Sequence, residues 1–170
     1  MKTAVIYWSG TGNTESMAIA VAEGAGAELF NVSEFKGNIA DYDRIAFGCP
    51  AMGCEVLEES EFEPFFESIE GELSGKTILL FGSYDWGDGE WMRNWAERAE
   101  ADGAVLVNGE GFIVNNTPDD DALEECKSLG KKLIQYTFLI IKKPPDFAQE
   151  AFCYLNSSGI SYLSRQLLST

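Results

Sequence analysis

The sequence of 170 residues contains no histidine. This absence excludes serine or cysteine nucleophiles activated by histidine, a histidine general base, and zinc sites that depend on imidazole ligands. Basic residues are also scarce. The sequence has 12 lysines and arginines against 28 aspartates and glutamates, which gives a formal net charge of -16. Such a charge opposes binding to nucleic acids and anionic membranes and favours partners with basic surfaces. Most hydrolase chemistry and nucleic-acid functions are therefore excluded.

Cysteines and long apolar runs are few as well. The four cysteines have no CxxC spacing, and their low density predicts reduced thiols in the cytoplasm rather than a disulfide framework. No apolar run approaches the roughly 18 residues of a membrane-spanning helix, so no membrane insertion is expected. With 45% hydrophobic residues, the chain suits one globular domain and leaves no room for a separate catalytic domain.

Apolar runs alternate with segments of helical composition. Continuous hydrophobicity in the first, third and fourth runs predicts a parallel sheet whose strands are buried on both faces. This alternation predicts a doubly wound α/β fold, whose ligand binds beyond the carboxyl ends of the strands. Residues 33–43 are expected to form either a short helix or an irregular crossover. The predicted strands are 3–7, 27–32, 44–48, 76–82 and 104–114, and the predicted helices are 14–25, 61–70, 90–100 and 118–136.

The composition changes near Thr137. Residues 1–136 have a net charge of -17, whereas residues 137–170 have a net charge of +1 and carry apolar patches around Pro144-Pro145. We predict one domain over residues 1–136 and an atypical C-terminal extension over residues 137–170. The extension either packs on the domain, mediates self-association or adds nothing to function, and its apolar residues favour the first two roles.

The loop after the first strand is suited to a phosphate group. Its residues Ser9-Gly10-Thr11-Gly12-Asn13-Thr14 lead into the first predicted helix, whose free N–H groups and dipole attract anions. The loop has three hydroxyl groups but no lysine, and it lacks the GK[ST] of nucleoside triphosphatases. Glu15 replaces the third glycine of a dinucleotide-binding GxGxxG motif. The pattern fits either a terminal phosphate bound without cationic side chains or an ordinary turn with helix-capping residues.

Two further loops bring apolar side chains to the same edge of the predicted sheet. The loop after the third strand is Pro50-Ala51-Met52-Gly53-Cys54-Glu55-Val56-Leu57, and the loop after the fourth is Ser83-Tyr84-Asp85-Trp86-Gly87-Asp88-Gly89-Glu90-Trp91. Taken singly, Met52 is explained by packing and Trp86 by a surface aromatic. Taken together, they can enclose a flat heterocycle, because these loops and the first one border the switch point of a doubly wound sheet.

Three segments, YWSGTGNTE, GCPAMGCEVLEESEFEPF and FGSYDWGDGEWMR, resemble segments of the short-chain flavodoxins of anaerobic bacteria in the same order. The resemblance spans about residues 1–136, and the short stretch 108–111 leaves no room for the insertion of the long-chain subgroup. It implies a flavodoxin-like, doubly wound, five-stranded parallel sheet of order 2-1-3-4-5 with helices on both faces. It also implies a low-potential, single-electron carrier that holds FMN without a covalent bond and is not an enzyme.

By this resemblance, the first loop holds the FMN phosphate and the other loops hold the flavin ring. Met52 is expected to cover the inner face of the ring and Trp86 the outer face, while Glu55 accepts a hydrogen bond from flavin N3–H. Gly53 is expected to let the following peptide turn its carbonyl toward flavin N5 on reduction. No catalytic residue and no metal ligand are expected. The expected cofactor-binding residues are Ser9, Gly10, Thr11, Gly12, Asn13, Thr14, Pro50, Ala51, Met52, Gly53, Cys54, Glu55, Ser83, Tyr84, Asp85, Trp86, Gly87 and Asn116.

Three of these residues depart from the usual family pattern. Cys54 stands where the family usually has an acid, and Asp85 stands where it has a small residue, commonly glycine. A carboxylate is therefore expected to have moved from one loop beside the flavin to the other. Pro50 replaces a small hydroxyl residue that can contact the phosphate in related chains.

Eight acids and no basic residue lie between Arg44 and Lys76, in a run that starts at the expected edge of the flavin. The run predicts either a solvated helix face or a docking surface for basic-faced redox enzymes, such as flavin or iron–sulfur oxidoreductases. Two other functions stay open. An NAD(P)H-dependent quinone reductase would use the same pocket, although no nicotinamide site is evident, and a phosphoacceptor receiver would need acids where Ser9 and Gly10 stand.

Overall fold

The computed structural model describes residues 1–136, and the predicted extension at 137–170 lies outside the described residues. No helix within residues 1–136 is both long and apolar enough to span a membrane. The strands are β1 (Thr3–Tyr7), β2 (Glu28–Asn31), β3 (Arg44–Gly48), β4 (Thr77–Tyr84), β5 (Val105–Leu106) and β6 (Phe112–Asn115), and the α-helices are α1 (Asn13–Ala25), α2 (Phe62–Ile69), α3 (Glu90–Ala101) and α4 (Asp120–Gln135). Short 3₁₀ helices cover Ile39–Asp41, within the segment predicted as helix or crossover, and Glu70–Glu72.

The strands form one parallel sheet in the order β2-β1-β3-β4-β5, and β6 also pairs with β4. The predicted order 2-1-3-4-5 is thereby confirmed. The direction of the chain reverses across the sheet between β1 and β3. Ligands of doubly wound sheets bind beyond the carboxyl ends of the strands at such a switch point.

The fifth position of the sheet is filled by two strands rather than by the single strand predicted at 104–114. β5 pairs with the start of β4 and β6 with its end, and Gly109 and Gly111 turn the chain between them at φ values of 63° and 92°. Asn108 fills the gap, because its Nδ2 donates to the Leu80 carbonyl at 2.8 Å and its Oδ1 accepts from the Leu80 N–H at 3.4 Å. The side-chain amide thus imitates one residue of a strand.

Alternating strand residues separate the core into two layers. Ile6, Phe47 and Leu80 belong to one buried cluster with the aromatic side chains of α2 and α3. The neighbouring strand residues belong to the other buried cluster, together with Met17 of α1 and Leu129 of α4. The predicted arrangement of helices on both faces of the sheet is therefore confirmed.

Carboxylates occupy the N-terminal ends of three α-helices. Glu58 accepts hydrogen bonds from three N–H groups at the start of α2, at 2.8, 2.8 and 2.9 Å, and Asp119 accepts one from Ala122 in α4 at 2.9 Å. Glu55 accepts two at the start of α3. α1 differs, because its N-cap residue Gly12 has no side chain and, within residues 1–136, no acid from another segment accepts from its first N–H groups.

Candidate cofactor site

Four loops lie at the carboxyl ends of the strands and contain the residues predicted to bind a cofactor. They are named here the phosphate loop (9–14), the Met52 loop (50–57), the Trp86 loop (83–90) and the Asn116 loop (115–118).

The end of β4 connects these loops. Ser83 Oγ lies 2.9 Å from Thr14 Oγ1 in the phosphate loop, and the Ser83 carbonyl accepts a hydrogen bond of 2.9 Å from the Ala51 N–H in the Met52 loop. The Tyr84 carbonyl accepts one of 2.6 Å from the Asn116 N–H. Residues far apart in the sequence are therefore brought to one end of the sheet, as the loop positions predict.

The phosphate loop presents free N–H groups at the start of α1. Gly12 has a φ of 89°, and its N–H donates to Ser9 Oγ at 3.0 Å. Within the part of the chain that the structure describes, the N–H groups of Asn13, Thr14 and Glu15 donate to no protein group. Such a helix end is suited to an anion.

The hydroxyl groups of this loop have different surroundings. Thr14 is fully buried, and its Oγ1 bonds the Ser83 hydroxyl and also accepts from the Ser83 N–H at 3.3 Å. Thr11 is exposed, and Ser9 is half-buried. Thr14 therefore also holds the loop against β4, while Ser9 and Thr11 can donate to a ligand.

One acid lies in the first turn of α1, and the protein binds it internally. The Tyr7 hydroxyl donates to Glu15 Oε1 at 2.8 Å. Burial, together with this hydrogen bond, raises the pKa of Tyr7 to about 12, so the hydroxyl stays protonated at neutral pH. Glu15 is thus held by Tyr7 and does not cap the free N–H groups of its own helix.

The Met52 loop is a tight turn closed by two hydrogen bonds. The Met52 N–H donates to the Val56 carbonyl at 2.8 Å, and the Val56 N–H donates to the Met52 carbonyl at 3.0 Å. Gly53 has a φ of 48°, and a Cβ atom added there would meet no atom within 4 Å. Backbone conformation rather than space therefore favours glycine at this position. Met52 is 37% exposed, so part of its apolar side chain is open to a ligand.

The Trp86 loop presents a second exposed apolar side chain. Trp86 is 55% exposed, and glycines with φ values of 94° and 91° follow at positions 87 and 89. The Arg93 guanidinium donates to the Asp88 carbonyl at 2.8 Å and to its carboxylate at 2.7 Å, which fastens the loop to α3. Cys54 and Asp85, the residues that depart from the family pattern, are both exposed in their loops.

Unusual backbone conformations concentrate in these loops. Among residues 1–136, the non-glycine residues with positive φ are Glu55 at 52° and Asn116 at 58°. Asn116 is exposed, and its side-chain amide donates to Asn115 Oδ1 at 2.8 Å. Asparagine adopts this conformation readily, whereas in Glu55 it is strained and is held by neighbouring contacts.

Only some of the eight acids between Arg44 and Lys76 are exposed at the surface. Glu58 is 6% exposed and caps α2, Glu55 caps α3, and Glu63 and Glu70 both pair with Arg98 of α3. Glu55, Glu58, Glu63 and Glu70 are therefore engaged in hydrogen bonds or ion pairs within the domain. The exposed acids of the run are Glu59, Glu61, Glu67 and Glu72.

The residues present fit FMN in both of its parts. A phosphate needs hydrogen-bond donors, and the phosphate loop supplies free N–H groups and hydroxyls at the positive end of α1. A flat heterocycle needs apolar side chains on its faces, and Met52 and Trp86 are large apolar residues left exposed on two adjoining loops. Within residues 1–136, no group of three or more acids or cysteines is arranged to hold a metal ion.

The sequence did not reveal the contacts that fasten the loops together. The Thr14–Ser83 bond joins residues 69 positions apart, and Glu55 was expected only to face the flavin rather than to cap α3. A sequence signal for the second contact exists, because α3 starts after Gly89 without a capping side chain of its own. That signal indicates a missing cap but not the residue that supplies it.

Comparison with known proteins identifies relatives over most of the chain. The sequence model of the flavodoxin family matches residues 5–130. The flavodoxin of Clostridium beijerinckii is 49% identical over 135 residues, which are 76% of this chain and 96% of that protein. The flavodoxin of Megasphaera elsdenii is 47% identical over 133 residues, which are 75% of this chain and 94% of that protein.

Solved structures give the same result. The two-electron reduced flavodoxin of Megasphaera elsdenii superposes with a TM-score of 0.67 at 45% identity, covering 79% of this chain and 99% of that one. A flavodoxin from the domain Archaea superposes with a TM-score of 0.71 at 26% identity, covering 79% of this chain and 97% of that one.

Proposed function

We propose that the four loops hold FMN, because the chain belongs to the flavodoxin family and is therefore an electron carrier that works with this cofactor. We further propose that it transfers electrons singly at low potential. The observation that supports the site is the start of α1, where free N–H groups adjoin loops with exposed Met52 and Trp86. Bound FMN accepts and releases electrons one at a time.

The phosphate is bound by residues 9–14. The N–H groups of Asn13 and Thr14 and the hydroxyls of Ser9 and Thr11 donate to its oxygens, and no cationic side chain takes part. Gly10 suits a close turn here, because a Cβ atom would lie 2.9 Å from the Trp8 ring. A larger residue at position 10 would therefore require the Trp8 ring to shift.

The flavin ring lies between the Met52 loop and the Trp86 loop. Met52 covers the inner face and Trp86 the outer face, and both exclude water from the ring. Gly53 and its positive φ let the following peptide direct its carbonyl toward the ring nitrogen that takes up a proton on reduction. The remaining contacts come from Pro50, Ala51, Cys54, Glu55, Ser83, Tyr84, Asp85, Gly87 and Asn116.

Carboxylates near the ring make the protein a low-potential donor. Glu55 and Asp85 would oppose the addition of negative charge to a bound flavin, because like charges repel. With Cys54 in place of an acid, Asp85 supplies part of this charge from the Trp86 loop.

The carrier is not an enzyme in this proposal. The purified protein should show a flavin absorption spectrum and take up electrons in two separate one-electron steps during stepwise reduction. It should not oxidise NAD(P)H with a quinone. Steady oxidation of NAD(P)H with a quinone by the protein alone would contradict the carrier role and favour a quinone reductase.

Partners are redox enzymes with basic surfaces, which dock on the exposed acids of the run at Glu59, Glu61, Glu67 and Glu72. The free cysteines, of which Cys54 is exposed, suit the reducing cytoplasm as the place of work. Residues 1–136 form the FMN-binding domain, and residues 137–170 are an addition to it that we propose to take part in packing or self-association.

A further inference from the structure

Glu55 belongs to the Met52 loop but binds the start of α3. Its Oε1 accepts hydrogen bonds from the N–H groups of Gly89 at 2.8 Å and Glu90 at 2.9 Å. These groups have no acceptor within the helix, and the helix dipole favours a negative charge beside them. α3 has Gly89 as its N-cap residue and therefore no capping side chain of its own. Glu55 supplies that cap from another loop.

The contact brings Glu55 against the backbone of the Trp86 loop. A Cβ atom added to Gly87 would lie 2.3 Å from Glu55 Cδ, so the carboxylate fills the space beside the residue that follows Trp86. Glu55 also holds a φ of 52°, which costs free energy for a residue with a long side chain. The two hydrogen bonds to α3 compensate for that strain.

The other carboxylate oxygen of Glu55 is not used by the protein. Within residues 1–136, Oε2 has no hydrogen-bond partner, whereas Oε1 accepts two bonds. A carboxylate has room for several donors, so one group can serve a helix and a ligand at the same time.

We propose that Glu55 is a positioning residue that holds the Trp86 loop in place before FMN binds. In this proposal Oε1 is committed to α3, which leaves Oε2 for the flavin N3–H contact that the family resemblance already implies. One carboxylate then couples the order of the Trp86 loop to the affinity for the cofactor. The contact of Oε2 with the flavin rests on the proposed function, whereas the contact of Oε1 with the start of α3 concerns the apoprotein alone.

Amide hydrogen exchange of the apoprotein tests the first half. The measured quantity is the exchange rate at Gly89 and Glu90 relative to Ile45 in the central strand β3, so that global unfolding is not mistaken for local opening. We expect Glu55→Ala to raise this ratio at least about tenfold, because two charge-assisted hydrogen bonds are lost. Glu55→Gln should keep most of the protection, since its carbonyl oxygen accepts the same bonds. An unchanged ratio in Glu55→Ala would overturn the proposal.

FMN titration of the same variants tests the second half. Glu55→Gln should bind FMN at least about tenfold more weakly despite a protected helix end, because an amide N–H faces the imide N–H when its oxygen serves α3. Glu97→Ala, which removes an exposed acid of α3, is the matched control and should change neither quantity. Wild-type affinity in Glu55→Gln would overturn the sharing of the carboxylate. Failure of the wild-type protein to bind FMN would instead refute the proposed function and leave the exchange result intact.

Discussion

Asn108 hydrogen bonds through one side-chain amide to both backbone groups of Leu80, 28 residues earlier in the chain. Leu80 is fully buried, so neither of its backbone groups has water as an alternative partner. We expect Asn108→Ala to lower the free energy of unfolding by about 1–3 kcal/mol. Asn94→Ala, at an exposed position of α3, should cost less. Urea denaturation of both apoproteins checks this, and equal losses in the two variants would contradict it.

Glu58 is expected to make stability depend on pH. Burial raises the pKa of this carboxyl, but hydrogen bonds from the N–H groups of Phe62, Glu61 and Ser60 lower the pKa by more. The net shift of the pKa is therefore downward. A lowered pKa means that the carboxylate stabilises the fold above its ordinary pKa of about 4.3, and that this contribution is lost as the pH falls through the folded-state pKa. We expect Glu58→Gln to cost about 1–2 kcal/mol at pH 7.

The difference between wild-type protein and Glu58→Gln should shrink as the pH falls below about 4.3. Denaturant titrations at several pH values measure it, with Glu97→Gln as a control on an exposed acid. A difference that stays constant from pH 7 to pH 3 would show that Glu58 acts by packing rather than by charge.

Gly53 and Gly26 form a matched pair for testing the Met52 loop. Both have positive φ, 48° and 58°, and a Cβ atom added to either would meet no atom within 4 Å. Replacement by alanine should therefore cost each apoprotein a similar stability, about 1–2 kcal/mol. Only Gly53→Ala should narrow the separation between the two one-electron midpoint potentials, because Gly26 caps the far end of α1. A redox titration in which both variants match the wild-type protein would refute the role of Gly53.

The charges at positions 54 and 85 should act on the second midpoint potential in opposite directions. Cys54→Asp adds a carboxylate and should lower this potential, whereas Asp85→Asn removes one and should raise it. A charge about 10 Å from the ring at an effective dielectric of about 20 contributes roughly 1.7 kcal/mol before screening, which corresponds to tens of millivolts. Cys54→Asn is the neutral control, and a rise with Cys54→Asp at low ionic strength would contradict the prediction.

Electron transfer to a basic redox protein should slow as salt is added. Cytochrome c serves as the basic probe, and its reduction rate should fall between low and high ionic strength because the exposed acids attract it. Neutralising Glu67 and Glu72 should weaken the salt dependence more than neutralising Asp121 and Glu124 on α4, at the opposite face of the sheet. A reduction rate that does not change with salt would contradict the electrostatic attraction between the exposed acids and the basic protein.

Buried parallel strands were predictable because their apolar runs are continuous. The bounds of β1 and β3 match the predicted ones, and α1 begins one residue before its predicted start. The interruption of the fifth strand was missed, because the run 104–114 is apolar at both ends and its glycines also occur within strands. The predicted start of α4 at Pro118 is two residues early, since Asp119 supplies the cap.

The candidate site was predictable at the level of loops but not of contacts. Chain order and the switch-point rule placed the phosphate, Met52 and Trp86 loops at one edge, because strand topology determines which loops meet. Capping by Glu55 and Glu58 could not be predicted in the same way. Each carboxylate acts on a helix whose start is set by tertiary packing. Glu58 was counted with the acids of the run because its burial is not visible in the sequence, whereas Glu55 was expected to contact the flavin.

The phosphate loop contains no basic side chain, and its donors are backbone N–H groups and hydroxyls. A phosphate bound in this loop would form no ion pair with a basic side chain, so dissolved salt has no such pair to weaken. Salt does screen the repulsion between the acidic protein and the phosphate. The same ions weaken attraction to a basic partner. For the proposed carrier we therefore expect high ionic strength to favour retention of FMN and low ionic strength to favour electron transfer to a basic partner.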